Sequence, residues 1–333
     1  MIGRFKTISF LVTLMLTLFL ALSTTTSAAA VVVTVNNSTG PVADYISIQN
    51  AINNANEGDT ILVYPGTYTE NVDANMTNIK IRSFSGNTED TIVVAQNSSD
   101  HVFNVSSDLI EISGFTISGS KWSDRYHYDI AGIALYGVSG ASIGNNTLKD
   151  NFCGIYLNNS SWNFLISNSA TENIYGIYLV NSSNSNILIY NDAIKNDFGI
   201  YSIGSNNNIL TSNKVKSNYN GIYFVSCNDC SLAENEVKEN DFRGIILSSS
   251  SNNNLTKNNV YLNIYGIYLG NFSKNNTLIG NSMWDNYYIN FDTYSSSISP
   301  NTIYSDNLVN GKSIYYFSNA SDIILDSYSN VGT

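Results

Sequence analysis

Few residues of this chain belong to types that perform acid–base chemistry, and two carboxylates stand out by their position. Asp150 and Glu172 each lie four residues before the Gly of a repeated tetrapeptide. If the chain coils once per repeat, the two side chains lie one strand spacing, about 4.8 Å, apart. Such a pair suits a retaining glycosidase or a calcium site. Lys195 follows in the same position, so a charge-balanced surface ladder explains the pair at least as well.

A second charged group is found within five residues, where Glu239, Asp241 and Arg243 alternate with other residues. We interpret this group as a surface salt bridge, which contributes little to stability.

A file of tyrosines is the strongest candidate for a binding surface. The tetrapeptide Gly-Ile-Tyr-Leu, or a variant, recurs every 22 or 23 residues and begins at Gly132, Gly154, Gly176, Gly199, Gly221, Gly244 and Gly266. Its third position, with a degenerate eighth copy, reads Ala134, Tyr156, Tyr178, Tyr201, Tyr223, Ile246, Tyr268 and Asn290. Tyr156, Tyr178, Tyr201 and Tyr223 are predicted to stack outward and to offer apolar faces and hydroxyls to an extended sugar chain. Alternatively, the rings only stabilise the sheet through their neighbours.

Residues 119–131 interrupt the repeat with an unusual mixture of aromatic and charged side chains. They are predicted to form a loop beside the start of the tyrosine file, where Trp122 and His127 join the binding surface. The alternative is a solvated insertion without a role, although loops on repeat proteins often carry binding.

The repeat itself determines the fold class. Each unit has three short alternating segments separated by Asn, Ser and Gly, and it lacks helical periodicity. One unit cannot bury its apolar face alone, so successive units must stack. The sequence therefore predicts an all-β, right-handed parallel β-helix of about a dozen coils, with a short N-terminal capping helix. Files of Asn are predicted to form ladders in which each amide bonds to its copy in the next coil. The second of these files is predicted to run through Asn218, Asp241 and Asn263.

The chain divides into consecutive segments along this solenoid. Residues 1–30 combine a basic start, an apolar stretch over 8–22 and small residues at 27–30, and they are predicted to be a cleaved signal peptide. Residues 31–43 form an N-terminal segment, 44–118 the cap and irregular coils, 119–131 the inserted loop, and 132–333 the regular coils. No cap is recognised at the C-terminal end, so we predict self-association or docking through that open coil.

Composition limits the partners. The 333 residues include 26 Asp and Glu against 15 Lys and Arg, a formal net charge of −11, and 51 are Asn. An acidic chain with few cations cannot build the basic stripe that nucleic acid requires. Export would make Asn-X-Ser/Thr sequons available for glycosylation. The candidates are Asn75, Asn97, Asn104, Asn145, Asn159, Asn181, Asn254, Asn271, Asn275 and Asn319.

The motifs resemble a known family. Residues 48–52, 58–61 and 65–68 (IQNAI, GDTI and PGTY) are similar to the opening of pectate-lyase-like β-helix proteins. The Asn-rich coils resemble the NosD-like group, and residues 307–316 look like a hairpin common in that group, with Asn310 and Gly311 as its turn. The resemblance covers nearly all of residues 44–333. It implies a domain shared by carbohydrate-binding proteins and sugar hydrolases.

The NosD resemblance also suggests copper handling, but the ligand count does not support a copper site. Cys227 and Cys230 are the only compact pair of soft ligands, in a turn normally filled by Ser and Asn. We interpret them as a local disulfide or two idle thiols, and no cofactor is evident beyond the calcium alternative. The sequence thus favours a secreted or cell-surface protein that binds a polysaccharide or surface glycan, or serves a structural role. A hydrolase or lyase based on Asp150 and Glu172, a copper accessory protein and a pure scaffold are the alternatives.

Overall fold

The computed structural model describes residues 30–121, 129–293 and 300–317. These residues form a parallel β-helix of about ten turns, in which each turn contributes one strand to each of three sheets. Strands in each sheet pair in parallel with the equivalent strand one turn away, as the repeat spacing predicts. The all-β prediction, the solenoid and the capping helix are therefore confirmed.

The first sheet has twelve strands. They are β1 (Val32–Val35), β2 (Thr60–Val63), β5 (Lys80–Ser83), β8 (Glu111–Ser113), β11 (Ser142–Gly144), β14 (Phe164–Ile166), β17 (Ile187–Ile189), β20 (Ile209–Thr211), β23 (Ser231–Ala233), β26 (Asn254–Thr256), β29 (Thr277–Ile279) and β32 (Thr302–Ile303).

The second sheet has ten strands, and its outer face is the one that carries the tyrosine file. They are β4 (Val72–Ala74), β7 (Phe103–Val105), β10 (Ala131–Tyr136), β13 (Cys153–Asn158), β16 (Tyr175–Val180), β19 (Phe198–Ile203), β22 (Asn220–Val225), β25 (Arg243–Ser248), β28 (Tyr265–Leu269) and β31 (Ile289–Thr293).

The third sheet has twelve strands and ends in an antiparallel hairpin at the predicted Asn310–Gly311 turn. They are β3 (Gly66–Thr69), β6 (Thr91–Val94), β9 (Thr116–Ser118), β12 (Thr147–Lys149), β15 (Ser169–Thr171), β18 (Asp192–Ile194), β21 (Lys214–Lys216), β24 (Glu236–Lys238), β27 (Asn259–Tyr261), β30 (Ser282–Trp284), β33 (Leu308–Val309) and β34 (Lys312–Ser313).

One short helix, α1 (Ile48–Asn53), buries Ile48, Ala51 and Ile52 at the start of the solenoid. Its free N-terminal amides are satisfied from outside the helix. The Glu70 carboxylate accepts hydrogen bonds from the backbone N–H groups of Ile48 and Gln49, both at 2.9 Å. Among the described residues, no helix has the length and apolar character needed to cross a membrane.

Columns of aliphatic side chains fill the interior, and ladders of buried Asn hold the corners. In the longest ladder, which runs from Asn146 to Asn307, the Asn213 side chain donates to Leu188 O at 2.9 Å and to Asn235 Oδ1 at 3.0 Å. The same Oδ1 also accepts from the backbone N–H of Asn213 at 3.0 Å. Each rung therefore links three successive coils, and the predicted ladders are confirmed.

Two predicted positions in these files are wrong. Asn240, not Asp241, occupies the second ladder, where its Nδ2 donates to Asn263 Oδ1 at 2.8 Å. That coil holds one extra residue between the ladder and its Gly. Asn290 does not continue the tyrosine file either, because Tyr268 is paired with Asp292. Asn290 instead ends the second ladder, with its Oδ1 accepting from Asn286 Nδ2 at 2.8 Å, and the last strand is shifted by two residues relative to the repeat.

Candidate functional site

The outer face of the second sheet carries aromatic rings from five consecutive coils. We call this surface the outer aromatic face, and its rings belong to Tyr136, Tyr156, Tyr175, Tyr178, Phe198, Tyr201 and Tyr223. The interior on the other side of the sheet is filled by residues such as Ile177 and Leu179, which are at most 1% exposed. The predicted alternation of inward aliphatic and outward Tyr is therefore what the structure has.

The Gly of each tetrapeptide determines which side chains face outward. A Cβ on Gly176 would lie 2.5 Å from the carbonyl oxygen of Gly199 in the next coil, a distance that real Cβ atoms do not adopt. Gly is thus required where successive backbones approach this closely. Tyr175, directly before this Gly, and Tyr178, two residues after it, both reach the outer face and stack at 4.6 Å. Each coil can therefore place two rings on the face.

The rings of the outer aromatic face stack on one another along the solenoid. Tyr178 and Tyr201 are 5.2 Å apart with an interplanar angle of 9°, and Tyr175 and Phe198 are 5.2 Å apart at 17°. Stacked neighbours cover each other's faces, so the ring edges and hydroxyl groups are what the surface offers to a ligand. This geometry supports both sequence interpretations, because the same stack stabilises the sheet.

Burial raises the pKa of the tyrosine hydroxyls above its ordinary value of about 10, which is itself well above neutral pH. It raises the pKa of Tyr201 to about 12, and the neighbouring hydroxyls of Tyr223 and Tyr175 add to the effect. The pKa of Tyr156 is also raised to about 12, again mainly by burial. At neutral pH these groups therefore remain uncharged, and each hydroxyl can both donate and accept a hydrogen bond.

The predicted contact residues are placed unequally. Tyr178, Tyr201 and Tyr223 are half-buried, whereas Tyr156 is only 5% exposed and belongs to a small outer apolar cluster with Ala134 and Val180. Tyr156 thus supports its neighbours rather than offering surface. Trp122 and His127 lie outside the described residues.

At the N-terminal end of this face, three residues that sequence reasoning did not select come together. The Tyr136 hydroxyl donates to Asp129 Oδ2 at 2.9 Å and lies 3.3 Å from His101 Nε2. The other ring nitrogen of His101 accepts from the backbone N–H of Ala131 at 3.1 Å. Burial lowers the pKa of His101, so the ring is neutral at pH 7 although nearby carboxylates oppose the shift. Sequence reasoning missed this group because His101 precedes Asp129 by 28 residues, and only the coiling of the chain brings His101 beside Asp129 and Tyr136.

Asp150 and Glu172 occupy successive corners between the third and second sheets. Both have positive φ, 56° and 58°, and both are exposed. Glu172 Oε1 lies 3.7 Å from Lys195 Nζ. This exposed ion pair agrees with the interpretation of these positions as a charge-balanced surface ladder. The structure therefore brings the carboxylates to one edge, with a cation beside the second.

The other charged cluster is not a salt bridge. Glu239 pairs with Lys216 at 3.1 Å, and the Arg243 guanidinium packs against aromatic rings instead. The prediction of an ion pair within residues 239–243 is wrong. Arg243 lies in β25, and its side chain faces the outer surface of the second sheet.

A polar groove of about 720 Å³ lies at the corner between the first and third sheets. In its wall, Arg82 Nε and Nη2 donate to Glu111 Oε1 and Oε2 at 2.5 and 2.6 Å. This bidentate ion pair raises the pKa of Arg82. Phe84 lines the groove, is 53% exposed and stacks on Tyr64 at 4.5 Å. Sequence reasoning did not indicate this groove, because most of its lining residues come from the irregular coils.

The cysteine pair replaces members of the corner ladders. Cys227 and Cys230 are free thiols and are buried. The Cys227 backbone N–H donates to Ser250 Oγ, and that of Cys230 donates to Asn253 Oδ1. Of the two interpretations left open by the sequence, the structure has thiols rather than a disulfide.

The thiols do not fit a metal centre. Burial raises the pKa of Cys230 to about 12, so its neutral form dominates at pH 7. A copper ligand needs the thiolate. In the described ranges no three His, Cys, Asp or Glu side chains come together in a way that could hold a metal ion.

The predicted glycosylation sites are mostly accessible. Eight of the ten Asn residues are exposed, namely Asn75, Asn97, Asn145, Asn159, Asn181, Asn254, Asn271 and Asn275. Asn104 is half-buried and donates to Asp73, and Asn319 lies outside the described residues. Their modification remains a prediction.

Three comparisons with known proteins bear on this fold. The chain is a parallel β-helix of the kind found in polysaccharide-active proteins. It is similar to pectate lyase Pel9A, with 16% identity, a TM-score of 0.61, and coverage of 87% of this chain and 82% of that one. It is also similar to an alginate lyase from Paenibacillus sp. str. FPU-7, with 16% identity, a TM-score of 0.58, and coverage of 83% and 99%.

The sequence comparison identifies the family to which the chain belongs. The family described as periplasmic copper-binding protein (NosD) matches residues 52–201 and 117–316, so the chain belongs to the NosD family. No curated protein matches the sequence. The structural likenesses are weak in identity and show the shared fold, and the described thiols do not fit the copper binding that the family description mentions.

Proposed function

We propose that this protein is exported and binds a polysaccharide or surface glycan along the outer aromatic face. The observation that carries the proposal is the continuous band of outward rings with hydroxyl edges, on a sheet whose interior is already packed with aliphatic side chains. Aromatic residues are not needed there to fill a core. An amphipathic strip that runs along the axis suits an extended polymer that is apolar on its ring faces and rich in hydroxyls.

Export is supported by the apolar N-terminal stretch and by the periplasmic description of the family. A polysaccharide partner is supported by the lyases that share the fold. Self-association through residues near the C-terminus stays a prediction, since residues 318–333 lie outside the described part.

The test separates ligand contact from sheet stability. Tyr178→Phe with Tyr201→Phe keeps the stacked rings and removes the two hydroxyls. Because the ring faces are covered, we expect retention on the bound polysaccharide to fall about tenfold, as expected when several hydrogen bonds are lost. The melting temperature should change little.

Tyr178→Ala with Tyr201→Ala is the matched control that removes the stack. It should lower both retention and the melting temperature. If this alanine variant lowers the melting temperature while both double variants retain polysaccharide like the wild type, the face is structural and the proposal is wrong.

A further inference from the structure

Arg243 has an environment unlike that of the other cations of the described strands. Its guanidinium carbon lies 4.3 Å from the ring centre of Phe242, 5.1 Å from that of Tyr268 and 5.7 Å from that of Tyr265. The rings fix the position of the charge through cation–π contact. In the described ranges no carboxylate forms an ion pair with it, and Glu239 pairs with Lys216 instead. A positioned cation on an acidic protein is thus left without a counter-ion.

Two orphan polar atoms belong to neighbouring residues of adjacent strands. Arg243 Nε and Asn220 Oδ1 are the buried side-chain atoms for which the described part of the chain offers no hydrogen-bond partner. They belong to residues paired in register on adjacent strands β22 and β25. Buried polar groups nearly always find a partner, so an unpartnered donor and an unpartnered acceptor on paired residues need an explanation. Asn220 is only 5% exposed, which makes its unused oxygen costly.

The position of this pair connects it to the outer aromatic face. The file just before each Gly reads Tyr175, Phe198, Asn220, Arg243 and Tyr265 along successive coils. A polymer lying on the aromatic rings would therefore reach Asn220 one strand spacing, about 4.8 Å, beyond Phe198.

We propose that Arg243 and Asn220 form a subsite for an anionic unit of the bound glycan. The guanidinium takes a carboxylate or sulfate oxygen, and a neighbouring sugar hydroxyl donates to Asn220 Oδ1. Such an anion supplies an acceptor for the unpaired guanidinium, and the rings of Phe242, Tyr265 and Tyr268 pack against the sugar. The inference rests on the proposed function, because it names the class of glycan that the same surface binds.

The test uses the full chain and four polymers that form two matched pairs. Polygalacturonate is compared with its methyl ester, which lacks the carboxylates, and dextran sulfate is compared with dextran. Binding is measured at physiological salt, where the Debye length of about 8 Å limits the long-range repulsion between the acidic protein and the acidic polymers.

Three variants each make the net charge one unit more negative. Arg243→Gln removes the cation, Asn220→Asp gives Arg243 an internal carboxylate partner, and Lys149→Gln is the control at an exposed position in β12. We expect Arg243→Gln to weaken binding of one acidic polymer about tenfold, as for loss of a charged hydrogen bond. Binding of its neutral counterpart should stay within about twofold. Lys149→Gln should leave both unchanged.

Asn220→Asp keeps the experiment informative if Arg243→Gln folds poorly. The new carboxylate should occupy the guanidinium, so the melting temperature rises while binding of the acidic polymer falls about tenfold. Loss confined to polygalacturonate identifies a carboxylate, and loss confined to dextran sulfate identifies a sulfate ester.

Two results would overturn the inference. If the wild type binds these polymers and Arg243→Gln binds the acidic ones equally well, or loses acidic and neutral polymers alike, the subsite is wrong and the proposed function stands. If the wild type binds neither acidic polymer, the subsite is wrong, and the proposed function is then decided separately by the polysaccharide array.

Discussion

Replacing Asn258 by Ala is expected to lower the free energy of unfolding by about 4 kcal/mol, since several buried groups lose their partners at 1–3 kcal/mol each. Asn258 is fully buried in the longest ladder. Its Oδ1 accepts from the backbone N–H of Asn235 at 3.0 Å and from Asn235 Nδ2 at 2.9 Å. Its own Nδ2 donates to Leu232 O at 2.8 Å and to Asn281 Oδ1 at 2.9 Å. Alanine removes all four bonds and leaves two coils with unsatisfied groups.

The neighbouring residue supplies the control for that prediction. Asn259 is exposed, and its side chain takes no part in the ladder. Asn259→Ala should change the free energy of unfolding by less than about 0.5 kcal/mol, as is usual for surface substitutions. Urea unfolding of the two variants gives the comparison. Equal effects at residues 258 and 259 would mean that the ladders do not hold the coils together.

Gly176→Ala is expected to destabilise the protein by about 3 kcal/mol, at the upper end of overpacking effects. The new Cβ would lie 2.5 Å from Gly199 O and 3.0 Å from Asn196 Nδ2. One neighbour is backbone and the other is fixed in a ladder, so neither can move aside without separating two coils.

Gly144→Ala is the matched control for Gly176→Ala. At Gly144 the nearest atom to an added Cβ is Ile166 O at 3.3 Å, and a shift of a few tenths of an ångström relieves the contact. Thermal melting of the two variants should show a clear loss for residue 176 and a small one for residue 144. A Gly176→Ala variant that melts like the wild type would contradict the close approach of the coils.

The sequence predicts the architecture because each repeat of the sequence corresponds to one coil of the solenoid. The 22-residue spacing determines which residues stack, and the alternation of Ile and Leu with Tyr determines which face inward. A third corner ladder was missed because Cys230 interrupts the file between Asn208 and Asn253. The two wrong positions, Asp241 and Asn290, have a different origin. Extra residues within a coil change the register of the following strand without changing the composition.

The candidate surface was only partly predictable. The tyrosine file is visible as a spacing, but the face-to-face stacking of Tyr178 and Tyr201, and the burial of Tyr156, depend on packing between coils. The setting of Arg243 combines rings from two adjacent coils, so its sequence neighbours Glu239 and Asp241 suggested a salt bridge that does not form. The spacing of residues along the chain was enough to locate the surface. Its chemistry depends on side-chain geometry that the spacing does not contain.

The most direct test of the central claim is a polysaccharide array probed with the protein, with reducing-sugar release measured in parallel. The outer aromatic face predicts retention on at least one polysaccharide without release of reducing ends. Release would contradict a binding role and direct attention to Asp150 and Glu172. No retention on any polysaccharide would contradict the account and leave the aromatic face as a purely structural stack.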